Sequence, residues 1–145
     1  MPSENVHLLQ GFHDAWNRGD FAGCIAGISS DWEYRTSESF PGIDPVYRGE
    51  DGFTRFWSTF RGAWESFTIE FKRIEDLGDV VLALQMFHGK GKGSGIEVSQ
   101  RFAATYAFRD GLVVRMVSYG DDWDAALEAV GLTETRGAPR PPSRS

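Results

Sequence analysis

Three side chains of this 145-residue chain could move protons near neutrality: Asp121, His88 and Tyr34. Asp121 opens the segment Asp121-Asp122-Trp123, where a carboxylate either caps a helix or, at the mouth of an apolar cavity, has its pKa raised by desolvation and acts as a base. His88 follows Phe87 near the end of an apolar run and has an imidazole suited to general acid or base work, while the glycine-rich Gly89-Lys90-Gly91-Lys92-Gly93 behind it equally fits a wet rim. Tyr34 and Tyr106 join an aromatic body to a hydroxyl, and serve either as core rings with a backbone partner or as ligand contacts; Tyr119 does the same, depending on register. Gln100 puts a primary amide in the middle of an apolar strand face, which is costly unless the amide is partnered or lines a cavity. Trp16, Trp57 and Phe60 could wall a flat, aromatic ligand or simply fill a core. His7 and His13 lie six apart, off the spacing that shares a helix face, and no carboxylate completes a metal triad, so neither a metal centre nor a cofactor is expected.

The elements that would position these groups follow from periodicity. Leu8, Phe12 and Trp16 recur every fourth residue between Ser3 and Asn17, with Leu9 and Ala15 beside them, which predicts an amphipathic helix capped by Ser3 and stopped at Gly19. Asp20 then caps a shorter helix over 21–28, and Ser29-Ser30-Asp31 turns into a strand in which Trp32, Tyr34 and Thr36 share the inward face. Residues 37–49 carry Pro41, Gly42, Pro45 and Gly49 without a period and read as an irregular loop that serves as a lid. Phe53, Phe56, Trp57, Phe60 and Trp64 mark a third helix over 50–64. Alternating strands follow over 65–74, 79–90 and 96–109, the last placing Val98, Gln100, Phe102, Ala104, Tyr106 and Phe108 on one face and Ser99, Arg101, Ala103, Thr105, Ala107 and Arg109 on the other. Asp110-Gly111 supplies the positive φ of a tight hairpin into 112–119. A closing helix runs from Asp121 or Asp122 to Gly131, and the Pro- and Arg-containing segment 133–145 reads as a disordered tail after a single domain over 1–132.

Two helices, a strand, a loop, a helix and an antiparallel meander make an α+β fold: a curved antiparallel sheet forming a cone, with three to four helices gathered on one side. Composition agrees with one domain, at 41% hydrophobic and 25% charged, and the 14% of aromatic residues need a core or pocket to hide in. A net charge of −6 disfavours nucleic acid and anionic membrane as partners, because both attract clustered Lys and Arg. The single cysteine, Cys24, lies in the apolar Phe21-Ala22-Gly23-Cys24-Ile25 and reads as a buried thiol; with no apolar stretch long enough for a membrane span or a leader, a cytoplasmic location is expected.

Several motifs together resemble a known family: Ala15-Trp16-Asn17-Arg18-Gly19-Asp20 ending the first helix, Asp31-Trp32-Glu33-Tyr34 opening the sheet, Tyr47-Arg48-Gly49 before the aromatic helix, and Phe108-Arg109-Asp110-Gly111-Leu112-Val113-Val114-Arg115 at the hairpin. The chain is similar to SnoaL-like members of the nuclear transport factor 2-like superfamily over roughly residues 4–132. That resemblance implies a ligand held between the concave sheet and the first and third helices, in a superfold that serves cyclases, isomerases, dehydratases, epoxide hydrolases and non-catalytic binders. Isomerase chemistry would need a helix-borne Tyr where this chain has Phe12 and Trp16, and epoxide hydrolysis an inward Arg, whereas Arg101 and Arg109 fall outward. Three expectations remain: cofactor-free acid–base chemistry on a hydrophobic small molecule through Asp121, His88 and Tyr34; binding alone, with Trp16, Trp57, Phe60, Gln100, Tyr106 and Tyr119 as contacts; or an interaction module that works through its outer sheet face around a filled cone. The small residues between charges on the face of Ser99, Arg101, Ala103, Thr105 and Ala107 are flat enough to seat a second copy, so a homodimer through the outer sheet face is also expected.

Overall fold

Leu9, Ala15 and Trp16 are buried along one stripe of α1 (Glu4–Asn17), and Gly19, at φ 76°, ends that helix. The Asp20 carboxylate then accepts a 2.9 Å bond from the Gly23 amide and starts α2 (Phe21–Ala26). The computed structural model describes residues 4–37 and 42–132, so the expected Ser3 cap, part of the expected lid and the 133–145 tail lie outside the described residues. The remaining elements are β1 (Ile28–Arg35), β2 (Val46–Arg48), α3 (Gly49–Ala63), β3 (Trp64–Asp76), β4 (Val80–Gly91), β5 (Glu97–Arg109), β6 (Leu112–Ser118) and α4 (Trp123–Ala129). No described helix is long and apolar enough to cross a membrane.

The sheet runs β2-β1-β6-β5-β4-β3, and each neighbouring pair is antiparallel except β1 with β6, which is parallel. Two local readings change accordingly, and a third holds. The second helix stops at Ala26, because Gly27 turns its amide back to the Cys24 carbonyl, and β-branched Ile28 already pairs with Val113 in the sheet. Residues 46–48 of the expected loop form β2, and its approach is tied down by Thr36 N–H to the Pro45 carbonyl at 3.0 Å and by Asp44 N–H to the Tyr47 hydroxyl at 2.9 Å. The Asp110-Gly111 turn is as expected, with φ of 55° and 79° between β5 and β6.

Bulges bend the sheet into its cone. Five steps of β1, from Ile28 to Glu33, face two of β6, from Val113 to Arg115, and the slack is partly taken up by the Ser29 hydroxyl accepting from Asp31 N–H. In β3 the partners jump from Phe71↔Gln85 to Arg73↔Leu84, which swaps the faces: Phe67, Ile69 and Phe71 pack inward before the bulge and Ile74 after it. On the concave side, Val81, Ala83 and Phe87 of β4 and Phe102, Ala104 and Tyr106 of β5 meet the helical stripes of α1 and α3 in one core.

The helices do not all gather on that side. Leu82, Leu84 and Ala103 point outward, and α4 covers them with Ala126 and Leu127, joined by Leu132. Strand β4 is therefore buried on both faces, which is why its Val-Val-Leu-Ala-Leu run shows no alternation. The outer face expected to lie flat for a second copy carries α4 across its middle: Ala103 is fully buried there, and the Arg101 guanidinium stacks 4.4 Å from the Trp123 ring.

The cone is closed at β3, the edge strand, by one side chain of α1. Asn17 Oδ1 accepts from Ile69 N–H at 2.9 Å while its Nδ2 donates to the Ile69 carbonyl at 3.0 Å, taking up both backbone groups that the strand turns away from β4. Replacing Asn17 by Ala leaves both half-buried groups without a partner, and at about 1 kcal/mol per lost bond the variant should be less stable by about 2 kcal/mol. Urea unfolding checks this: the midpoint falls and the slope stays that of the parent.

Candidate ligand-binding cavity

Between the concave sheet and the stripes of α1 and α3 lies a cavity of about 70 Å³. Its walls are chiefly apolar: Phe12 and Trp16 from α1, Phe53, Phe56 and Phe60 from α3, Phe87 and Phe102 from the sheet, and Ile43 from the segment before β2. Trp16 is the hub of this aromatic shell, stacked on Phe56 at 5.6 Å and edge-on to Trp57 at 5.1 Å, with its carbonyl held by Arg61 Nη2 at 2.9 Å. The volume is about half of the ~150 Å³ that accepts a single benzene ring, so this conformation has room for a few waters and no more.

The polar atoms around it are few and specific. His13 lines the cavity one residue past Phe12, its ring stacked on Phe71 at 3.9 Å. Burial holds its pKa below the ordinary imidazole value, against the Asp14 carboxylate, which raises it. Asn17 Nδ2 stands 3.5 Å from His13 Nδ1, and His13 Nε2 is buried with no partner. Trp16 Nε1 is a second buried atom without a partner, and Gln85 Oε1 is a third, its amide Nε2 meeting the Tyr106 hydroxyl at 3.1 Å. Burial pushes the Tyr106 hydroxyl up to about 12, against the bond from Gln85, and drives Tyr34 up as well, so both stay neutral phenols. Ser118 bonds Tyr34 and lies 3.2 Å from the Ser37 hydroxyl, and all three residues line the cavity. Among the described lining residues none is Asp, Glu, Lys or Arg.

Of the residues singled out from the sequence, the cavity brings together Tyr34, Tyr106, Trp16 and Phe60. The others lie elsewhere. Asp121 is exposed at the approach to α4 on the outer side, where its carbonyl accepts from Arg101, and the cap of that helix is Asp122, whose carboxylate takes the Ala125 amide at 2.9 Å. Tyr119 packs with α4 on the outer cluster. Gln100 shares the inward face but sits half-buried beyond Phe102, outside the lining. Trp57 packs behind Trp16 against Phe21, with the Arg61 guanidinium 4.4 Å over its ring.

His88 faces outward, between Ser99 Oγ at 2.9 Å from its Nδ1 and Glu70 Oε1 at 3.1 Å from its Nε2. The order serine–histidine–carboxylate is that of a hydrolase triad, but all three stand in solvent on an open strand surface, and none of them lines the cavity or the groove beside it. Cys24 is buried, and desolvation pushes its thiol up to about 12, which makes it an inert core side chain.

Sequence reasoning missed His13 and Gln85. His13 is i+4 from Leu9 and i−3 from Trp16, a helical position flanking the inward stripe, so spacing alone places it at the cavity wall. Gln85 is a polar residue inside the doubly buried β4 run, where no alternation shows which side it takes.

A second depression, an open groove of about 400 Å³, lies against the first. It runs under the β4–β5 turn, past Trp64, Ile96 and Lys92, and Ile43 and Phe60 line both spaces. Those two side chains form the partition between them.

The SnoaL-like domain pattern matches residues 9–116. Solved structures share the architecture at low identity. A TerC structure co-crystallised with polyporic acid superposes with TM-score 0.74 at 19% identity, over 82% of this chain and 92% of that one. An NTF2-like protein of unknown function from Burkholderia pseudomallei reaches 0.75 at 16%, over 88% and 95%. A SnoaL-like polyketide cyclase candidate from Shewanella denitrificans reaches 0.68 at 16%, over 81% and 90%. No curated protein matches the sequence. With the curled six-stranded sheet, the aromatic cone and a family match over most of its length, the chain belongs to the SnoaL-like domain family, on the NTF2-like fold.

Proposed function

We propose that this protein binds a small, uncharged, largely apolar molecule inside its cone. The observation that carries this reading is the set of three buried polar atoms without partners, His13 Nε2, Trp16 Nε1 and Gln85 Oε1, all on residues that line one aromatic cavity. Left unpartnered, each such group costs about 1–3 kcal/mol, which a bound molecule can recover. The occupant is uncharged because no described lining residue offers an opposite charge, and an unpaired ion inside such a shell is strongly disfavoured. A molecule with a ring needs the walls to yield, and movement of Ile43 or Phe60, which line both spaces, merges the inner space with the groove and brings the whole into the size range of small-molecule sites.

A second reading, proton transfer on that molecule as in a cyclase, is favoured by one observation: His13 is the only imidazole among the described lining residues. Both hydroxyls that could assist, Tyr34 and Tyr106, are held neutral by burial.

The test compares acetophenone with benzoate, the same ring with and without a charge. Acetophenone should bind at micromolar to millimolar concentration by calorimetry and raise the melting temperature, whereas benzoate does neither. Equal binding of benzoate, or no binding of either, would overturn the reading. Shortening the partition with Ile43→Ala should raise the association rate for acetophenone at least threefold.

His13 also gives the fold a pH signature. Its folded pKa is depressed, so the unfolded chain takes up the proton first, and stability falls as pH drops from about 6.5 toward the folded pKa. Below that value this group adds nothing further. The drop in urea midpoint between pH 7.5 and pH 5.5 should be smaller in His13→Gln than in the parent.

A further inference from the structure

Asn17 does more than close the cone. Its orientation is chemically determined, because the Ile69 N–H must meet an oxygen and the Ile69 carbonyl must meet an NH₂ group. The reversed amide would set donor against donor and acceptor against acceptor. The atom facing His13 Nδ1 at 3.5 Å is therefore an NH₂ nitrogen, a donor. That contact is long, but its sign is fixed. An Nδ1–H tautomer would point a proton at a second donor, whereas a bare Nδ1 lone pair is attracted to it. The imidazole proton is thus carried on Nε2, the ring atom that is buried without a partner beside the cavity.

We propose that Asn17 is a positioning residue that locks neutral His13 as an Nε2–H donor, so that the cavity recognises a hydrogen-bond acceptor, such as a ketone, quinone or ether oxygen, on its apolar occupant. This rests on the binding reading above and refines it. Trp16 Nε1 is a donor by its nature, and it stands on the same helix three residues on. Gln85 differs: its partner, the Tyr106 hydroxyl, can give or take a proton, so the amide can present either end. Of the three buried polar atoms without partners in the lining, two are thus donors and one belongs to an adaptable group. The same lock shapes the chemistry. A protonated Nε2 cannot accept a proton from a bound molecule, so His13 polarises an acceptor instead of acting as a base.

The tautomer can be read with no ligand present, from the ¹⁵N shifts and two-bond couplings of the His13 imidazole at pH 7.5. The expected result is a pyrrole-like Nε2 and a pyridine-like Nδ1; the reverse pattern, or averaged shifts, would overturn the lock. Asn17→Ala, if folded by its backbone spectrum, should move both nitrogens toward averaged shifts, and unchanged shifts would show that Asn17 is not responsible. Selectivity is tested in the parent protein by titrating cyclohexanone and methylenecyclohexane, which differ by one acceptor oxygen. Cyclohexanone should bind at least tenfold more tightly and shift the Trp16 indole and His13 Nε2–H signals. Equal affinity would overturn the acceptor assignment while leaving apolar binding in place, and binding of neither would count against the cavity reading itself.

Discussion

Two hydrogen bonds between one side-chain amide and the backbone of one residue hold the working geometry of this molecule. Asn17 meets both the N–H and the carbonyl of Ile69, at 2.9 and 3.0 Å, and thereby fastens the end of α1 to the far strand of the sheet. The placement of α1 in the cone follows from that span. Trp16, one residue earlier, is set against Phe56 and Phe67; His13, one turn earlier, is set against Phe71 on the same strand; and Arg61 reaches over from α3 to hold the Trp16 carbonyl. A hydrophobic stripe alone would let α1 slide along its apolar bed, since burial is indifferent to direction. The amide fixes its position along β3 because it is directional and pairs with the N–H and carbonyl of Ile69 alone.

The sheet contributes by being irregular where it matters. Its bulges at Ser29–Trp32 and Lys72 turn two of its strands around the helices, and the parallel pairing of β1 with β6 brings Tyr34 and Ser118 to the same end of the cone. Because β4 is packed from both sides, with α1 and α3 on one face and α4 on the other, it supplies a rigid floor to the cavity. Rigidity there gives the unpartnered Gln85 oxygen its meaning, since a side chain fully shielded on a strand anchored from both faces has little freedom to find a partner elsewhere.

Most of the fold could be read from residue order. The 3.6-residue stripes of α1 and α3, the Asp20 cap, the Asp110-Gly111 hairpin and the alternation of β5 are local signals, and the structure realises each of them. What could not be read was non-local. Whether α4 lies inside or outside the sheet depends on Leu82 and Leu84, which sit in a run whose two faces are equally apolar. The start of β1 at Ile28 is decided by Val113, eighty-five residues away. The same division separates the two halves of the candidate site. Tyr34, Tyr106, Trp16 and Phe60 lie on elements with clear periods and line the cavity; Asp121, His88 and Tyr119 were chosen for chemical type, and register or helix placement puts them on the outer side, while Gln100 shares the inward face but sits beyond Phe102. His13 was weighed only as a metal ligand and set aside, although its spacing from Leu9 and Trp16 places it at the cavity wall; Asn17 looked like part of a helix-ending motif, and only the fold shows its amide spanning to Ile69.

Sheets that stop short of closing have two raw edges, and here they are finished differently. One end strand, β2, is only three residues long, and its Arg48 shares the carboxylate of Glu33 with Arg35. The other, β3, is thirteen residues long, but it is bulged at Lys72 and has the outward peptide of Ile69 already occupied. Neither offers a straight ladder of free amides and carbonyls on which a misfolded copy could template itself. An open, aromatic-rich cone thus carries its own defence against edge-to-edge aggregation.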